Sequence, residues 1–283
     1  MASRSSKEEL QFLSRSFLKA KLSKVLVLFL PLLLGTLPTA AFAQTAPGLL
    51  SDGIVASSTN PTAEVTTNQL KALLAANSAW VFDARPTAEY AVSHIPGALN
   101  VAQKPGTPTS EYISDTAEIE RIVGGDKAAK VVLYCNGPFC GKTKRLASDL
   151  LAAGFTDVLR YQAGAPVWRA LVGTMQIEAS AVKAVWFNDL TARIYDARPM
   201  TDENRGPQIP RSILLPVNEV TAAKDDGRLP MDDHNTRIIC FGETGAQAKA
   251  LAEEISRNAF HNVTFYSGTA EEFRASVFHP TGE

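Results

Sequence analysis

The chain has 283 residues, 45% of them hydrophobic, and a formal net charge of −1. This length and hydrophobic content suffice for two hydrophobic cores, and the near-neutral charge predicts no nucleic-acid partner. Three cysteines are too few for a disulfide scaffold, and the four histidines have no metal-ligand spacing, so we expect no metal site and no cofactor.

The segment 1–43 has the pattern of an export signal. Lysines precede the almost unbroken apolar run Val25–Leu34, and Ala41-Phe42-Ala43 forms an A-x-A cleavage site. We therefore predict a signal peptide that is cleaved after Ala43 and a periplasmic location. The alternative is an uncleaved leader, which then anchors the chain in a membrane. The apolar run is short for a bilayer core of roughly 30 Å, and this favours cleavage.

Residues 44–61 are rich in Ala, Ser, Thr and Pro, which predicts a flexible lead-in. In the segment 62–173 that follows, short apolar runs alternate with amphipathic stretches. The predicted elements are a helix capped by Thr66, a strand over Ala79–Phe82, a helix capped by Asp115, a strand over Val131–Tyr134, a helix over Thr143–Ala153, a strand over Val158–Tyr161 and a helical turn over Pro166–Leu171. Strands that alternate with helices predict a parallel α/β sheet.

Residues 174–283 show the same alternation with shorter connections. The predicted elements are a strand over Gln176–Glu178, a helix capped by Ser180, strands over Arg193–Asp196 and Arg237–Ile239, and a helix over Gly245–Asn258. The boundary falls near Gly173 with almost no linker. We therefore expect two α/β domains, 62–173 and 174–283, that pack against each other.

The second half also repeats residues of the first. VFDARP at Val81–Pro86 returns as IYDARP at Ile194–Pro199. The further pairs that we align are Cys135 with Cys240, Phe155 with Phe260, and Trp168-Arg169-Ala170 with Phe273-Arg274-Ala275. A repeat of this length is a whole domain, much longer than a solenoid unit. The sequence thus predicts two domains of common ancestry, each with a cysteine at the same structural point.

Cys135 is the predicted nucleophile. It follows a buried strand, and open α/β sheets bind ligands at the carboxyl ends of their strands. A helix comes next, so loop N–H groups and the helix dipole are expected to face the sulfur, lower the pKa of the thiol and favour an accessible thiolate. The alternative is a buried, inert cysteine.

The loop after Cys135 supplies the predicted substrate-binding residues. They are Asn136, Gly137, Pro138, Phe139, Cys140, Gly141 and Lys142. The two glycines allow the loop to curl around one atom, and Pro138 stiffens it. Lys142, with the basic residues that follow it, suits a small anionic donor.

Three segments together resemble the rhodanese domain. They are VFDARPTAEYAVSHIPGALNV at Val81–Val101, VVLYC at Val131–Cys135, and AGFTDVLRYQAGAPVWRA at Ala153–Ala170. The resemblance implies two tandem rhodanese-like domains, each a doubly wound parallel sheet flanked by helices, with Cys135 as the catalytic cysteine of the first. It also implies transfer of a sulfane sulfur from a donor such as thiosulfate or mercaptopyruvate, through a cysteine persulfide. The acceptor is then a thiol, cyanide or a protein.

Cys140 stands where many members of that family carry arginine or another polar residue. Two interpretations stay open. Cys140 is a resolving thiol that attacks a persulfide or mixed disulfide on Cys135, and the pair rests as a disulfide in an oxidising compartment. Otherwise it is a small residue that fills the start of the helix. The alternative function is a noncatalytic sulfur carrier or thiol redox module. A phosphatase of related fold needs arginine where this chain has Gly141.

Cys240 is the weaker candidate for a second site. Its loop carries Glu243, which opposes both thiolate formation and an anionic substrate, and no basic residue follows until Lys249. We therefore predict a degenerate second domain in which Cys240 is structural or regulatory. Asp83 and Arg85 are assigned a structural role, as a buried, hydrogen-bonded pair that holds nearby loops.

Overall fold

A computed structural model describes residues 61–201 and 209–278. The predicted signal peptide, its cleavage site and nearly all of the lead-in lie outside the described residues. Within the described ranges, no helix is both long and apolar enough to cross a membrane.

The first half forms a parallel sheet whose strands lie in the order β2-β1-β3-β4. The strands are β1 (Trp80–Asp83), β2 (Leu99–Asn100), β3 (Val131–Tyr134) and β4 (Val158–Tyr161). The helices are α1 (Thr67–Ala75), α2 (Thr87–Val92), α3 (Asp115–Ile122), α4 (Lys142–Ala152) and α5 (Gly164–Leu171). A parallel bridge between Glu64 and Arg160 extends the sheet beyond β4.

The second half forms a parallel sheet in the order β5-β9-β8-β6-β7. Its strands are β5 (Thr174–Ile177), β6 (Arg193–Asp196), β7 (Ser212–Leu214), β8 (Ile238–Phe241) and β9 (Val263–Tyr266). Its helices are α6 (Ala179–Asn188), α7 (Val220–Asp225) after a 3-10 turn at Val217–Glu219, α8 (Gly245–Ser256) and α9 (Ala270–Phe278). Written from the other edge, as β7-β6-β8-β9-β5, this order matches that of the first sheet. The bridge between Glu64 and Arg160 takes the place of β5. The predicted fold class is confirmed.

Each sheet of the molecule is covered on both faces, as parallel sheets require. In the first half, Phe82 and Leu133 pack with residues of α3 and α4, whereas their neighbours Val81 and Val132 pack with residues of α1 and α5. This follows from the alternation of side chains along a strand. β3 therefore lies between two layers of helices, and the carboxyl end of β3 lies at one edge of the sheet.

Two predicted helix caps were wrong by one or two residues. The capping box at Thr66 is confirmed, but Ser114, in extended conformation, caps α3 through Ala117 N, and Asp115 is the first helical residue. Likewise Glu178, and not Ser180, occupies the cap position of α6. Glu178 is still in an extended conformation, its N–H donates to Ala91 O at 2.8 Å, and the helix begins at the next residue.

The two halves contact each other directly between α2 and β5. His94 N donates to Gln176 O at 3.0 Å, and Gln176 N donates to His94 O at 2.8 Å. Ala91 of the first half packs into the core around α6, and Met175 packs into the core around α1 and α5. Each half thus contributes a residue to the core of the other.

Candidate active site

Cys135 lies at the carboxyl end of β3, and its sulfur is bonded to that of Cys140. The Cα atoms of the two cysteines are 6.3 Å apart. Cys135 is only 6% exposed, and Ala165 N donates a hydrogen bond to its carbonyl oxygen at 3.0 Å. The structure therefore holds the oxidised form of this site, and the accessible thiolate that we expected is not present in it. A nucleophile appears here only after the disulfide is reduced.

A tight turn between the cysteines brings their sulfurs together. Cys140 N donates to Gly137 O at 3.0 Å, which closes a turn with Pro138 and Phe139 at its centre. Proline fits the second position of such a turn, and Gly137 has a φ of 112°, which a side chain disfavours. Phe139 points outward and is 102% exposed. The sequence between the cysteines thus explains the local fold.

The side chain of Gln162 is hydrogen-bonded to this turn, a contact that was not predicted from the sequence. Its Nε2 donates to Pro138 O at 3.0 Å and to Gly137 O at 3.3 Å, while its Oε1 accepts from Arg160 Nη1 at 2.8 Å and from Thr143 Oγ1 at 3.3 Å. Every polar atom of the buried carboxamide is therefore used. Its orientation is fixed, with the two donor hydrogens toward the loop.

Arg160 supports Gln162 from inside the sheet. Its side chain is 1% exposed, and Nη2 lies 3.1 Å from Glu64 Oε1. Nε donates to Thr62 Oγ1 at 3.1 Å. A charged residue inside the predicted strand VLRY was the signal that a polar network lies beside β4.

Gly164 allows the turn after β4 to touch the cysteine loop. Its φ is 71°, and a Cβ atom there would lie 2.4 Å from Gly137 N and 2.5 Å from Cys135 O. No other residue type fits without displacing backbone. The sequence signal was a glycine three residues after a predicted strand, which we did not connect with the site.

The charges around the loop are more balanced than predicted. Lys142 Nζ lies 3.1 Å from Asp115 Oδ2, and Asn136 Nδ2 donates to Glu89 Oε2 at 2.6 Å. Arg145 is exposed and makes no ion pair with any described residue. The lysine that we assigned to substrate binding is therefore partly neutralised, and Arg145 supplies the uncompensated positive charge.

Backbone amides supply further anion donors. The N–H groups of Asn136, Gly137, Phe139 and Gly141 donate no hydrogen bond within the described parts of the chain. The amino end of α4 follows directly and has no side-chain cap. Free amides and a helix amino terminus both favour an anion. The loop therefore has unused donors for an anion at the carboxyl end of β3.

Asp83 and Arg85 form a buried ion pair beside the site. Asp83 Oδ2 accepts from Arg85 Nη2 and from Tyr134 OH, each at 2.6 Å, and Arg85 Nη2 also donates to Ser93 O. Burial lowers the pKa of Arg85, but the hydrogen bond and charge of Asp83 outweigh it and raise that pKa overall. Burial raises the pKa of Tyr134 well above its usual value. The pair thus ties the end of α2 to the residue that precedes Cys135.

Cys240 lies inside β8, and its alignment with Cys135 was wrong. Asp83 pairs with Tyr134, and the equivalent Asp196 pairs with Phe241, so Gly242 occupies the place of Cys135. The error arose because the connection from β8 to α8, residues 242–244, is shorter than the loop at 135–141. Cys240 is fully buried, and burial raises the pKa of its thiol. The structure therefore places this candidate in the core, within the strand and before the connection that follows it.

The first half of the chain is similar to a known family. A family model described as the rhodanese-like domain matches residues 66–171. Among solved structures, protein BH2092 of Bacillus halodurans is similar, with 21% identity over 41% of this chain and 77% of that one and a TM-score of 0.33. No curated protein is significantly similar in sequence.

Two longer structures are also similar. A thiosulfate sulfurtransferase from Pseudomonas aeruginosa is 20% identical over 75% of this chain and 44% of its own length, with a TM-score of 0.32. The wild-type EanB structure is 16% identical over 75% of this chain and 59% of its own, with a TM-score of 0.34. The chain spans less than two thirds of either protein.

Proposed function

Because residues 66–171 match the family model of the rhodanese-like domain, we propose that the chain is a sulfurtransferase in which Cys135 carries a persulfide. The observation that supports this most is the position of Cys135: directly after the central strand β3, under a loop with free amide groups. Open parallel sheets bind their ligands at this edge.

The proposed transfer has two steps and starts from the reduced protein. The Cys135 thiolate attacks the outer sulfur of a small anionic donor such as thiosulfate or mercaptopyruvate, and the remainder of the donor leaves with the electron pair. A thiol, cyanide or a protein acceptor then removes the sulfur. Amides of the loop and the amino end of α4 stabilise the anionic persulfide between the steps. Arg145 attracts the anionic donor.

The decisive experiment uses thiosulfate and cyanide with reduced protein. With cyanide in excess we expect steady formation of thiocyanate, and early quenching by alkylation should trap a persulfide on Cys135, detected by peptide mass spectrometry. Cys135→Ser loses both signals, whereas the matched Cys240→Ser variant keeps them because Cys240 is sealed in the core. Thiocyanate formation by Cys135→Ser would remove the proposal. The same assay with mercaptopyruvate identifies the better donor.

The disulfide favours a second candidate function, a thiol redox module without turnover. In this case Cys135 and Cys140 exchange electrons with a partner dithiol, and no donor leaves sulfur on either. The two candidates differ in one measurement: the module acquires no persulfide from any sulfane donor. Export to the periplasm, which we keep as part of the proposal, supplies the oxidising setting in which such a disulfide persists.

A further inference from the structure

We propose that Cys140 completes the reaction by releasing the sulfur on Cys135 as hydrogen sulfide, an activity that rests on the proposed persulfide. The Cys135–Cys140 disulfide is then the product of this step. The chain would act as a reductase of sulfane sulfur, with the loop supplying both electrons.

The loop keeps the two sulfurs adjacent without help from the disulfide. Cys140 N donates to Gly137 O, Gln162 Nε2 donates to Pro138 O, and Ala165 N donates to Cys135 O, each at 3.0 Å. None of these bonds depends on the oxidation state of sulfur. After reduction the thiols therefore remain within reach of each other, and attack within the loop outcompetes attack by dilute external thiols.

This step needs no added oxidant, because the sulfane sulfur accepts the two electrons that the cysteine sulfurs lose. The Cys140 thiolate attacks Cys135 Sγ in the persulfide, and an Sγ–Sγ bond forms. The bond from Cys135 Sγ to the outer sulfur breaks, and that sulfur leaves with the electron pair as HS⁻, taking the proton that the Cys140 thiol gives up when it becomes the thiolate. The two cysteine sulfurs are oxidised to the disulfide, and the sulfane sulfur is reduced to sulfide.

A dithiol must then reduce the disulfide to restart the cycle. Its thiolate attacks Cys140 Sγ, because Cys140 is half-buried whereas Cys135 is buried. Cys135 then leaves as the thiolate that the loop amides stabilise, and the second thiol of the reductant frees Cys140. Phe139 is fully exposed beside Cys140 and offers a contact to a protein reductant. Both cysteines end the cycle as thiols.

Single-turnover loading tests this step. Protein is reduced, freed of reductant without air and mixed with one equivalent of thiosulfate, and sulfide and intact mass are followed. We expect about one sulfide per protein and a product lighter than the reduced chain by two hydrogens. Cys140→Ser should keep the added sulfur on Cys135 and release sulfide at least about 100-fold more slowly. Cys240→Ser should behave as the wild type.

The outcomes separate this inference from the function on which it rests. If the wild type keeps its persulfide as long as Cys140→Ser does, Cys140 is not a resolving thiol, and the sulfurtransferase proposal stands. If neither protein takes up sulfur from thiosulfate or mercaptopyruvate, both proposals fall. Cys140→Ala serves as a second variant, and both Cys140 substitutions must give the same result.

Discussion

The connections that leave β3 and β8 occupy equivalent places in the two sheets, but only the first contains a cysteine. After β3, residues 135–141 form a loop that rests on Gln162 and Gly164. After β8, residues 242–244 lead straight into α8. The difference lies outside the strands, which keep the same order and register.

The supports of the first loop are also missing from the second half. Leu133 pairs with Arg160, and the equivalent Cys240 pairs with Phe265, so the two halves can be aligned strand by strand. In this alignment Phe265 corresponds to Arg160. Two and four residues later, Ser267 corresponds to Gln162 and Thr269 to Gly164. The two halves therefore differ in the neighbours of this loop on the adjacent strand as well as in the cysteine.

The largest effect is expected from Gly164→Ala. The new Cβ would overlap backbone atoms of Gly137 and Cys135, and alanine disfavours a φ of 71°. Together these cost about 2–5 kcal/mol of stability or displace the loop. We expect sulfur transfer to be nearly abolished, measured as thiocyanate formation.

Gly154→Ala is the control for this substitution. Gly154 also has a positive φ, 92°, but open space around its Cβ position, so the variant isolates the backbone cost of about 1 kcal/mol. Transfer should be unchanged in it. Full activity of Gly164→Ala would show that the loop does not rest on the turn after β4.

A smaller effect is expected at Gln162, where two substitutions divide its roles. Gln162→Leu removes the donor to Pro138 O and leaves Arg160 Nη1 without its acceptor, which costs about 1–3 kcal/mol of stability. Gln162→Glu keeps an acceptor for Arg160 but cannot donate to the loop. We expect transfer to fall about 10–100-fold in both, and urea unfolding to show the larger destabilisation in Gln162→Leu. If Gln162→Glu is fully active, the hydrogen bond from Gln162 Nε2 to Pro138 O is not needed for sulfur transfer.

The fold was predictable from sequence because its signals are local. The apolar run at Val131–Tyr134 and the capping residue Thr66 each lie within one element, and both predictions are confirmed. Cys135 was chosen as the nucleophile in the same way, from a strand followed by a loop and a helix; the structure confirms that context, and the catalytic role stays a prediction.

The rest of the site depends on contacts between distant segments. Gln162 reaches Pro138 across two strands, and Gly164 matters only because the loop lies against it. The misalignment of Cys240 has a related cause. The connection after β8 is shorter than the loop after β3, so a sequence alignment that matches the helices no longer matches the strands. Pairing the two cysteines by sequence hid this difference.

The junction of the two halves should respond to pH through His94. The His94 Nδ1 bonds Tyr90 O at 3.0 Å, and Nε2 is buried without a hydrogen bond, 3.4 Å from Glu178 Oε1. Burial lowers the pKa of His94 to about 4, although the Tyr90 carbonyl and the charge of Asp83 raise it and Arg85 lowers it. Since this pKa is depressed relative to the unfolded chain, stability should fall as pH drops below about 6.5 and level off near 4.

Urea unfolding at pH 7.5 and pH 5 measures this effect. From the two pKa values, His94 accounts for a loss of about 2 kcal/mol over that interval. The carboxyl of Glu178 offsets part of this loss, because burial raises its pKa and the folded chain takes up that proton more readily. His94→Asn, whose amide nitrogen can replace Nδ1, should lose the pH dependence. An equal loss of stability in the wild type and in His94→Asn would mean that other groups cause the pH dependence.

The smallest effect is expected from placing a cysteine at the equivalent point of the second half. In a Cys135→Ser background, Gly242→Cys sets a thiol at the end of β8. Its Cβ would lie 2.7 Å from Gln247 Oε1, which must move and release its hydrogen bond to Glu243 N. The connection there is too short to wrap a sulfur, and Glu243 opposes a thiolate. We expect no thiocyanate above that of Cys135→Ser alone. If this double variant forms thiocyanate, the strand position is sufficient, and the loop and its supports are not what separates the two halves.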